Sequence, residues 1–433
     1  MYNQDNFYRF SVNDDQFLYS AYTGILLKVD DRVESFLNGT EDSEVEKVLI
    51  GGETKQQLLI DKEDKPTISG LTVFITNYCN LDCAYCYNKE NNVDRSEQMD
   101  ISVFEKALSY IFENLNYYRI FTIQYFGGEP LLNVKFIRES IALAKEFEKK
   151  YDVKFAYSIT TNGTVFTEEI KQLLVDNKFN VLVSVDGDRE VHNKSRKFVN
   201  GEGSFDTILK NLQELSKYIK VQARPTITNI DTDLVALYKN LVEYGFSASN
   251  FEIVSSKEFP FDFDKDAEIL QRRIRDFGDF ILEEIKQNRG LKNNIFAKTL
   301  WFLHNGIKRT YCCNAGAKHY SLTPKGELYL CHRFNNVEQF KWGDVETGLD
   351  IKKRENYLRE HHVTVRNESC KNCWARNLCG GGCYHAAYTV CGDTKQISDI
   401  HCFYTKELIK CSLRIYASLT SDEIQTLMKA IGG

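Results

Sequence analysis

Three cysteines lie close together in the segment Cys-Asn-Leu-Asp-Cys-Ala-Tyr-Cys, at positions 79, 83 and 86. Thiolates at this spacing suit one cubane iron–sulfur cluster, whose fourth iron is then left without a protein ligand. An iron of this kind is free to bind a substrate or cofactor. The spacing alone leaves open a zinc site completed by a distant ligand, or plain packing. We predict that Cys79, Cys83 and Cys86 hold a metal centre with one open position, and we favour the cluster.

A second group of cysteines lies near the carboxyl terminus. The other ten of the 13 cysteines fall between positions 312 and 411, and the 225 residues after Cys86 contain none. The pattern begins with Cys313 and a Gly-x4-Cys element that ends at Cys331. Five more cysteines follow: Cys370, Cys373, Cys379, Cys383 and Cys402. Clustered thiols in a reducing compartment are metal ligands more often than disulfides, and one or two zinc sites remain an alternative here.

Together with the cysteine segment after the first strand, polar motifs end four successive predicted strands. Gly-Gly-Glu-Pro at 127–130 gives room for a ligand to approach the backbone, and its Glu129 carboxylate is a candidate acceptor for an ammonium group. Thr-Asn-Gly at 161–163 follows the next strand, and Ser-Val-Asp-Gly at 184–187 the one after. Arg196 and Arg224 come next and are candidates to pair with a carboxylate. Each motif alone is a common strand ending, but four in a row predict one shared site.

The elements that must position these residues alternate between strand and helix from about 70 to 290. Six βα units in a row predict a parallel sheet closed into a partial (β/α)6 barrel, with the chemistry at the carboxyl ends of its strands. Residues 1–65 predict a small α+β domain, ending in a charged linker at 61–66. Residues 309–402 are loop-rich and cysteine-dense, which predicts a region held together by metal. Residues 403–433 read as closing helices.

Composition narrows the functional class. A net charge of −6 and a pI near 5.9 argue against a nucleic-acid-binding face. No run of 18 apolar residues predicts a membrane span, and the amino terminus lacks the basic and apolar regions of a signal peptide. We therefore expect a cytoplasmic protein that binds neither nucleic acid nor membrane.

Taken together, the three-cysteine segment, Gly-Gly-Glu-Pro, Thr-Asn-Gly and Ser-Val-Asp-Gly resemble the radical S-adenosylmethionine enzymes. The resemblance covers roughly 70–260. It implies that a 4Fe–4S cluster binds S-adenosylmethionine at its open iron and generates a 5′-deoxyadenosyl radical. It also implies a set of cofactor contacts, namely Tyr85 for the adenine, Gly127, Gly128, Glu129 and Pro130 for the ammonium group, Asn162, Ser184 and Asp186 for the ribose side, and Arg196, or else Arg224, for the carboxylate.

The carboxy-terminal cysteines resemble the SPASM domain, which holds two auxiliary 4Fe–4S clusters. The resemblance implies an outer cluster on Cys370, Cys373, Cys379 and Cys402. It implies an inner cluster on Cys313, Cys331 and Cys383. Cys312, Cys391 and Cys411 are candidates for a fourth inner ligand, or the inner cluster keeps an open iron for a substrate thiolate.

The same resemblance narrows the reaction to modification of a peptide. Anaerobic sulfatase maturases, which make formylglycine, carry an Asp directly after the cysteine of the Gly-x4-Cys element. This chain has His332 there, which favours instead a maturase that forms a thioether of the sactionine or ranthionine type. His332 is the candidate catalytic residue. A carbon–carbon cross-link is the next alternative, and a cluster protein without radical chemistry is a further one.

The resemblance to peptide maturases also implies partners. We expect a ribosomally made precursor peptide whose leader is gripped by the amino-terminal domain through strand addition. We expect the electrons to come from a carrier such as ferredoxin or flavodoxin.

Overall fold

The amino-terminal part of the chain forms a small antiparallel sheet covered by two helices. The computed structural model describes residues 3–51, 65–256, 259 and 261–432, so most of the predicted linker lies outside the described residues. The strands pair in the order β1-β2-β3. The elements are β1 (Phe7–Val12), β2 (Asp15–Ser20), β3 (Leu26–Lys28), α1 (Asp31–Leu37) and α2 (Ser43–Leu49), preceded by a 3-10 turn at Gln4–Asn6. Asp30 and Asp42 start the helices by accepting hydrogen bonds from first-turn backbone N–H groups.

The middle of the chain alternates strand and helix. Its elements are β4 (Thr67–Thr76), α3 (Tyr87–Glu90), α4 (Ile101–Asn114), β5 (Asn116–Gly127), α5 (Val134–Lys150), β6 (Lys154–Thr161), α6 (Glu168–Asp176), β7 (Asn180–Val183), α7 (Arg189–Ser195), α8 (Phe205–Leu215), β8 (Val221–Ala223), β9 (Thr226–Ile227), α9 (Leu234–Glu243), β10 (Ala248–Ser249), β11 (Glu252–Ile253), α10 (Phe263–Lys286) and α11 (Asn294–His304), with a 3-10 turn at Pro130–Asn133. Apolar strand residues and the inner helix faces form one large core. The predicted α/β partial barrel of six strand–helix units is confirmed.

All of the barrel strands run in parallel. The sheet order is β10-β8-β7-β6-β5-β4, and the short pair β9 and β11 continues β8 and β10 beyond a break. The break falls at Pro225, whose ring nitrogen has no hydrogen to donate to a neighbouring strand. Parallel strands bring their carboxyl ends to one edge, so the residues that follow Thr76, Gly127, Thr161 and Val183 meet there.

The carboxy-terminal region joins the same sheet. Its elements are β12 (His319–Leu322), β13 (Glu327–Tyr329), β14 (Lys341–Asp344), β15 (Gly348–Leu349), α12 (Ile351–His361), α13 (Glu368–Lys371), α14 (Arg376–Cys379), α15 (Tyr384–Cys391), α16 (Asp399–Ser418) and α17 (Ser421–Ile431), with 3-10 turns at His332–Phe334 and Glu338–Phe340. β12 pairs in parallel with β4, and β13 to β15 add antiparallel strands. The region expected to be rich in loops therefore also extends the barrel sheet to ten strands.

Among the described residues, no helix has the length and apolar character that a membrane crossing requires.

Candidate active site

The three-cysteine segment forms the loop that follows β4, at the carboxyl edge of the sheet. Backbone hydrogen bonds fix this loop from one side, from Asp82 N to Lys197 O at 2.8 Å and from Ala84 N to Ser195 O at 2.9 Å. All three cysteines line one cavity of about 770 Å³. The described residues include no group of three or more His, Cys, Asp or Glu side chains placed to hold a single metal ion, but the charges of Cys83 and Cys86 both reach Cys79, so the three thiols lie near one another.

The thiols of this loop belong to half-buried residues, and two of them receive polar contacts. Asn162 Nδ2 lies 3.8 Å from Cys79 Sγ, and Arg196 Nη1 lies 3.9 Å from Cys83 Sγ. Burial raises the pKa of Cys79 to about 12. Burial also raises the pKa of Cys83, and the positive charge of Arg196 partly offsets this shift. Nitrogen donors directed at sulfur stabilise thiolates and tune an iron–sulfur cluster. Three thiols beside open space, two of them with such donors, fit the cluster expected from the sequence.

Gly127 and Gly128 line the same cavity, and the structure shows a further reason why these positions require glycine. A Cβ on Gly127 would stand 2.0 Å from Thr76 O, and a Cβ on Gly128 would stand 2.2 Å from Tyr78 O. The end of β5 therefore packs directly against the start of the cysteine loop. Any side chain at either position would push that loop out of place.

Glu129 does not face the cavity as expected. Its fully buried carboxylate accepts hydrogen bonds from Thr161 Oγ1 and Asn162 N, both at 2.7 Å, and from Leu131 N at 3.0 Å. Burial raises its pKa to about 7. Pro130 is buried as well and starts a 3-10 turn. Within Gly-Gly-Glu-Pro, the glycines thus contribute the cavity surface, and Glu129 ties the end of β5 to the end of β6.

Asp186 is also turned away from the cavity, and its carboxylate accepts hydrogen bonds from neighbouring residues instead. Arg196 Nε donates to it at 2.9 Å, Thr226 N donates at 2.8 Å, and the Tyr85 hydroxyl donates as well. The Arg196 guanidinium also lies over the Tyr85 ring, 5.1 Å from its centroid. Asp186 thus binds Arg196 instead of making the expected ribose contact. The Arg196 guanidinium, which was expected to bind a cofactor carboxylate, is itself engaged by Asp186. Its effect is to fix Tyr85 at the cavity wall.

The remaining predicted contacts line the cavity. Ser184, Asn162 and Arg224 do so together with Tyr85. Asn162 also bridges to the cysteine loop, since its Nδ2 donates to Asn80 Oδ1 at 2.9 Å. Arg224 pairs with Glu252 at 3.1 Å and keeps part of its surface open.

His332 and the next residue, Arg333, line the opposite side of this cavity. Because α3 carries Tyr87 directly after Cys86, the ring of Tyr87 lies between the cysteine loop and His332, with ring centroids 6.0 Å apart. Burial lowers the pKa of His332 to about 3, helped by the charges of Arg333 and Arg224, so its imidazole is neutral. Sequence reasoning missed Tyr87 and Arg333; their positions directly after Cys86 and His332 were the available signal.

The carboxy-terminal cysteines fall into two groups. The outer four line a separate small cavity of about 60 Å³, which Cys383 also touches: Cys370, Cys373, Cys379 and Cys402. Burial raises the pKa of Cys402 to about 12, and the charges of the other three add to this shift. Cys402 lies in the first turn of α16.

Electrostatic contact also links the inner group. Burial raises the pKa of Cys331 to about 12, and Cys313 and Cys383 add to the shift. Cys312 Sγ lies 3.7 Å from Cys313 Sγ. Cys411 is a packing residue on α16, because its thiol is buried and donates to Ile274 O. Cys391 is exposed and donates to Ile397 O. Neither of these two shares the contacts of the inner group.

Comparison with known proteins supports this geometry. Residues 73–234 match the Radical SAM superfamily. A cysteine-type anaerobic sulfatase-maturating enzyme of Clostridium novyi (strain NT) is 28% identical over 325 residues, which cover 70% of this chain and 84% of that protein. The radical SAM cyclopropyl synthase TigE of Paramaledivibacter caminithermalis is 26% identical over 373 residues, which cover 79% of this chain and 73% of that protein.

Solved structures share the fold. Native anSMEcpe with bound AdoMet superposes with a TM-score of 0.67 at 22% identity, covering 81% of this chain and 98% of that one. Streptococcus suis SuiB bound to its precursor peptide SuiA gives a TM-score of 0.56 at 15% identity, covering 92% of this chain and 99% of that one. With the cysteine loop at the carboxyl edge of a six-stranded partial barrel, residues 73–234 of the chain form a radical SAM domain.

Proposed function

We propose that this protein is a radical SAM maturase that modifies a peptide, and that it forms a thioether at a peptide cysteine. One observation carries the proposal: a single cavity of about 770 Å³ is lined both by the cysteine loop and by His332 and Arg333, which follow Cys331 of the inner group. A substrate in this cavity would lie between the two cysteine sets. The cavity is also large enough for a cofactor and a short peptide segment together.

The cofactor site would be built from residues of the barrel. When bound, S-adenosylmethionine and a 4Fe–4S cluster on Cys79, Cys83 and Cys86 supply the chemistry that removes a hydrogen atom from the substrate. Gly127 and Gly128 would offer their backbone to the amino group of the cofactor. Ser184 and Asn162 would supply hydrogen bonds to its polar atoms, and Tyr85 would supply a rigid wall. Arg224 would bind its carboxylate, because Arg196 is already committed to Asp186.

The inner cysteines would position the sulfur of the substrate. Cys313, Cys331 and Cys383 hold an auxiliary cluster with one open position for the peptide thiolate, and the outer four cysteines hold a second auxiliary cluster. Forming the thioether breaks one C–H and one S–H bond and makes one C–S bond. The peptide therefore gives up two hydrogens: one as an atom to the cofactor, and one as a proton with an electron that passes to an external carrier such as ferredoxin or flavodoxin. His332 is the candidate to take up that proton; its imidazole is neutral, but a pKa of about 3 makes it a weak base.

Formylglycine formation is a second candidate, favoured by the similarity to sulfatase-maturating enzymes of Clostridium. That reaction also begins at a peptide cysteine and uses the same cavity. His332 occupies the position at which the sequence resemblance expects Asp, and this departure is the reason to place thioether formation first. A carbon–carbon cross-link is the third candidate.

The amino-terminal sheet would hold the leader of the precursor. β1 and β3 are its two edge strands, and neither pairs with a further strand among the described residues, which suits an added strand. The sheet contacts the loop that carries the outer cysteines, because Tyr8 stacks on Trp374 at 4.3 Å. A leader bound there lies on the same side of the molecule as the carboxy-terminal cysteines.

The test is anaerobic mass spectrometry on a cysteine-containing peptide. The reconstituted full-length enzyme is mixed with dithionite, S-adenosylmethionine and a small cysteine-containing peptide encoded beside its gene. Loss of two hydrogens, together with loss of the alkylatable thiol, supports the thioether. A new aldehyde that reacts with a hydrazide indicates formylglycine, and loss of two hydrogens with the thiol still free indicates a carbon–carbon link. Absence of 5′-deoxyadenosine under every condition would overturn the radical mechanism itself.

A further inference from the structure

The charges on the wall of the main cavity are all of one sign. Five basic side chains line it, and no acidic side chain does so among the described residues: Lys89, Arg95, Arg196, Arg224 and Arg333. Four of them have a carboxylate partner behind the wall. Lys89 and Arg95 share Asp82, Arg196 pairs with Asp186, and Arg224 pairs with Glu252.

Arg333 is different, because none of the ion pairs among the described residues includes it. Of the negative charges that reach it, that of the Cys383 thiol is the largest and that of Glu252 is next, and Glu252 is already paired with another arginine of the wall. The Arg333 guanidinium lies over the ring of Tyr87, 5.9 Å from its centroid. Its backbone is fixed, since Arg333 O accepts a hydrogen bond from Asn91 Nδ2 at 2.9 Å. A half-buried cation held in this way, without a carboxylate of its own, favours an anionic ligand.

Tyr87 provides a second, independent observation. Its hydroxyl is buried and has no hydrogen-bond partner among the described residues, although the ring lines the cavity. Buried polar atoms are nearly always satisfied in a complete complex, so this hydroxyl marks the place of a polar ligand.

We propose that Arg333 and Tyr87 form a carboxylate site for the substrate peptide, between the cysteine loop and Cys331. The inference rests on the proposed function and names the class of substrate: a peptide with an Asp or Glu side chain, or a terminal carboxylate, close to the residue that is modified. Arg333 supplies a charged donor of fixed direction and the Tyr87 hydroxyl supplies a second donor, and a carboxylate accepts both. The site thereby sets which residue of the peptide faces the cofactor.

The experiment compares two fluorescein-labelled nonapeptides. Each has a central cysteine; one carries Glu at the second position on either side, and the other carries Gln there. Binding to the reconstituted full-length enzyme with S-adenosylmethionine is followed anaerobically by fluorescence anisotropy. We expect the Glu peptide to bind at least about tenfold more tightly than the Gln peptide, and Arg333→Gln and Tyr87→Phe to reduce that ratio to below about threefold. Arg333→Lys should restore part of it. Arg359→Gln, which removes the same charge from the exposed helix α12, should leave the ratio unchanged.

Three further readings separate the alternatives. A ratio near one in the wild-type enzyme, or one that Arg333→Gln leaves intact, overturns the site. If Arg333→Gln weakens S-adenosylmethionine binding as much as Glu-peptide binding, the carboxylate belongs to the cofactor and the proposal fails. If the variant loses iron, Arg333 supports the inner cluster and the proposal fails as well. Formation of 5′-deoxyadenosine from reduced enzyme without peptide tests the proposed function separately: its absence, with the peptide preference intact, overturns the radical chemistry and not the site.

Discussion

The two cysteine-lined cavities of this protein are built in different ways. The cysteine loop of the main cavity follows a ten-residue strand in the middle of a ten-stranded sheet, and backbone hydrogen bonds fix it from the side. The outer cysteines lie on the four-residue helices α13 and α14, on loops, and in the first turn of α16. The first site is positioned by the sheet before any ligand arrives. The second lacks a scaffold of that kind and depends more strongly on what its cysteines bind.

The largest expected difference between the two cavities is in how far loss of a cysteine lowers the formation of 5′-deoxyadenosine. Cys83→Ser removes a thiol from the main cavity, so the formation of 5′-deoxyadenosine from S-adenosylmethionine should fall to background. Cys402→Ser removes a thiol from the outer cavity and should leave that reaction measurable while lowering peptide modification by more than about tenfold. Chromatographic assay of 5′-deoxyadenosine and of modified peptide checks both. If Cys402→Ser lowered the yield of both products equally, the two cavities would not have different roles in the reaction.

Removal of iron should destabilise the region around the outer cysteines more than the barrel sheet. With a chelator, we expect the segment 363–402 to lose protection from amide hydrogen exchange, because short helices around a cavity retain little apolar packing once their ligand is gone. Strands β4 and β5 should keep their protection, since β4 is buried along most of its length and alternate side chains are buried in the second half of β5. The Cys411→Ala variant is a useful control, because its packing cysteine belongs to neither group and should not change the effect of the chelator. Equal loss of protection in both regions would show that the sheet also needs iron.

Breaking a buried ion pair of the barrel should lower the free energy of unfolding more than breaking an exposed one. Asp186→Asn leaves the Arg196 guanidinium without its carboxylate in a site where the two side chains are 9% and 2% exposed. Breaking such a pair costs about 3 kcal/mol or more in the free energy of unfolding. Urea unfolding of the iron-free protein measures this cost. The Asp82→Asn variant, whose carboxylate is half exposed, should lose less than about 1 kcal/mol. A similar loss in both variants would mean that the network around Tyr85 has no special role.

The sequence predicted the barrel and the position of the cysteine loop, because long periodic strands and helices leave a clear pattern. It placed Glu129 and Asp186 in the cofactor site, whereas both carboxylates point behind the wall. Motif spacing indicates which strand end a residue occupies, but the direction of its side chain depends on neighbours distant in sequence, such as Thr161 for Glu129 and Thr226 for Asp186. The strands β12 to β15 were not predicted, because runs of two to four residues carry no readable alternation.

The smallest effect concerns the pH dependence of stability, and it belongs to the barrel side alone. The Glu129 pKa is raised to about 7 in the folded chain from 4.5, so the folded state holds this proton more tightly than the unfolded state does. The resulting stabilisation is fully present below pH 4.5 and is lost as the pH rises through 7, a decline of up to about 3 kcal/mol. Glu129→Gln cannot titrate and should remove this slope, while its amide group faces the Asn162 N–H and costs about 1–3 kcal/mol at low pH. Urea unfolding between about pH 5 and 8 checks the slope, with Glu139→Gln on the exposed side of α5 as the matched control. If the wild type and Glu129→Gln show the same slope, Glu129 is not the titrating group, and the tie between β5 and β6 must hold a charged carboxylate at every pH in that range.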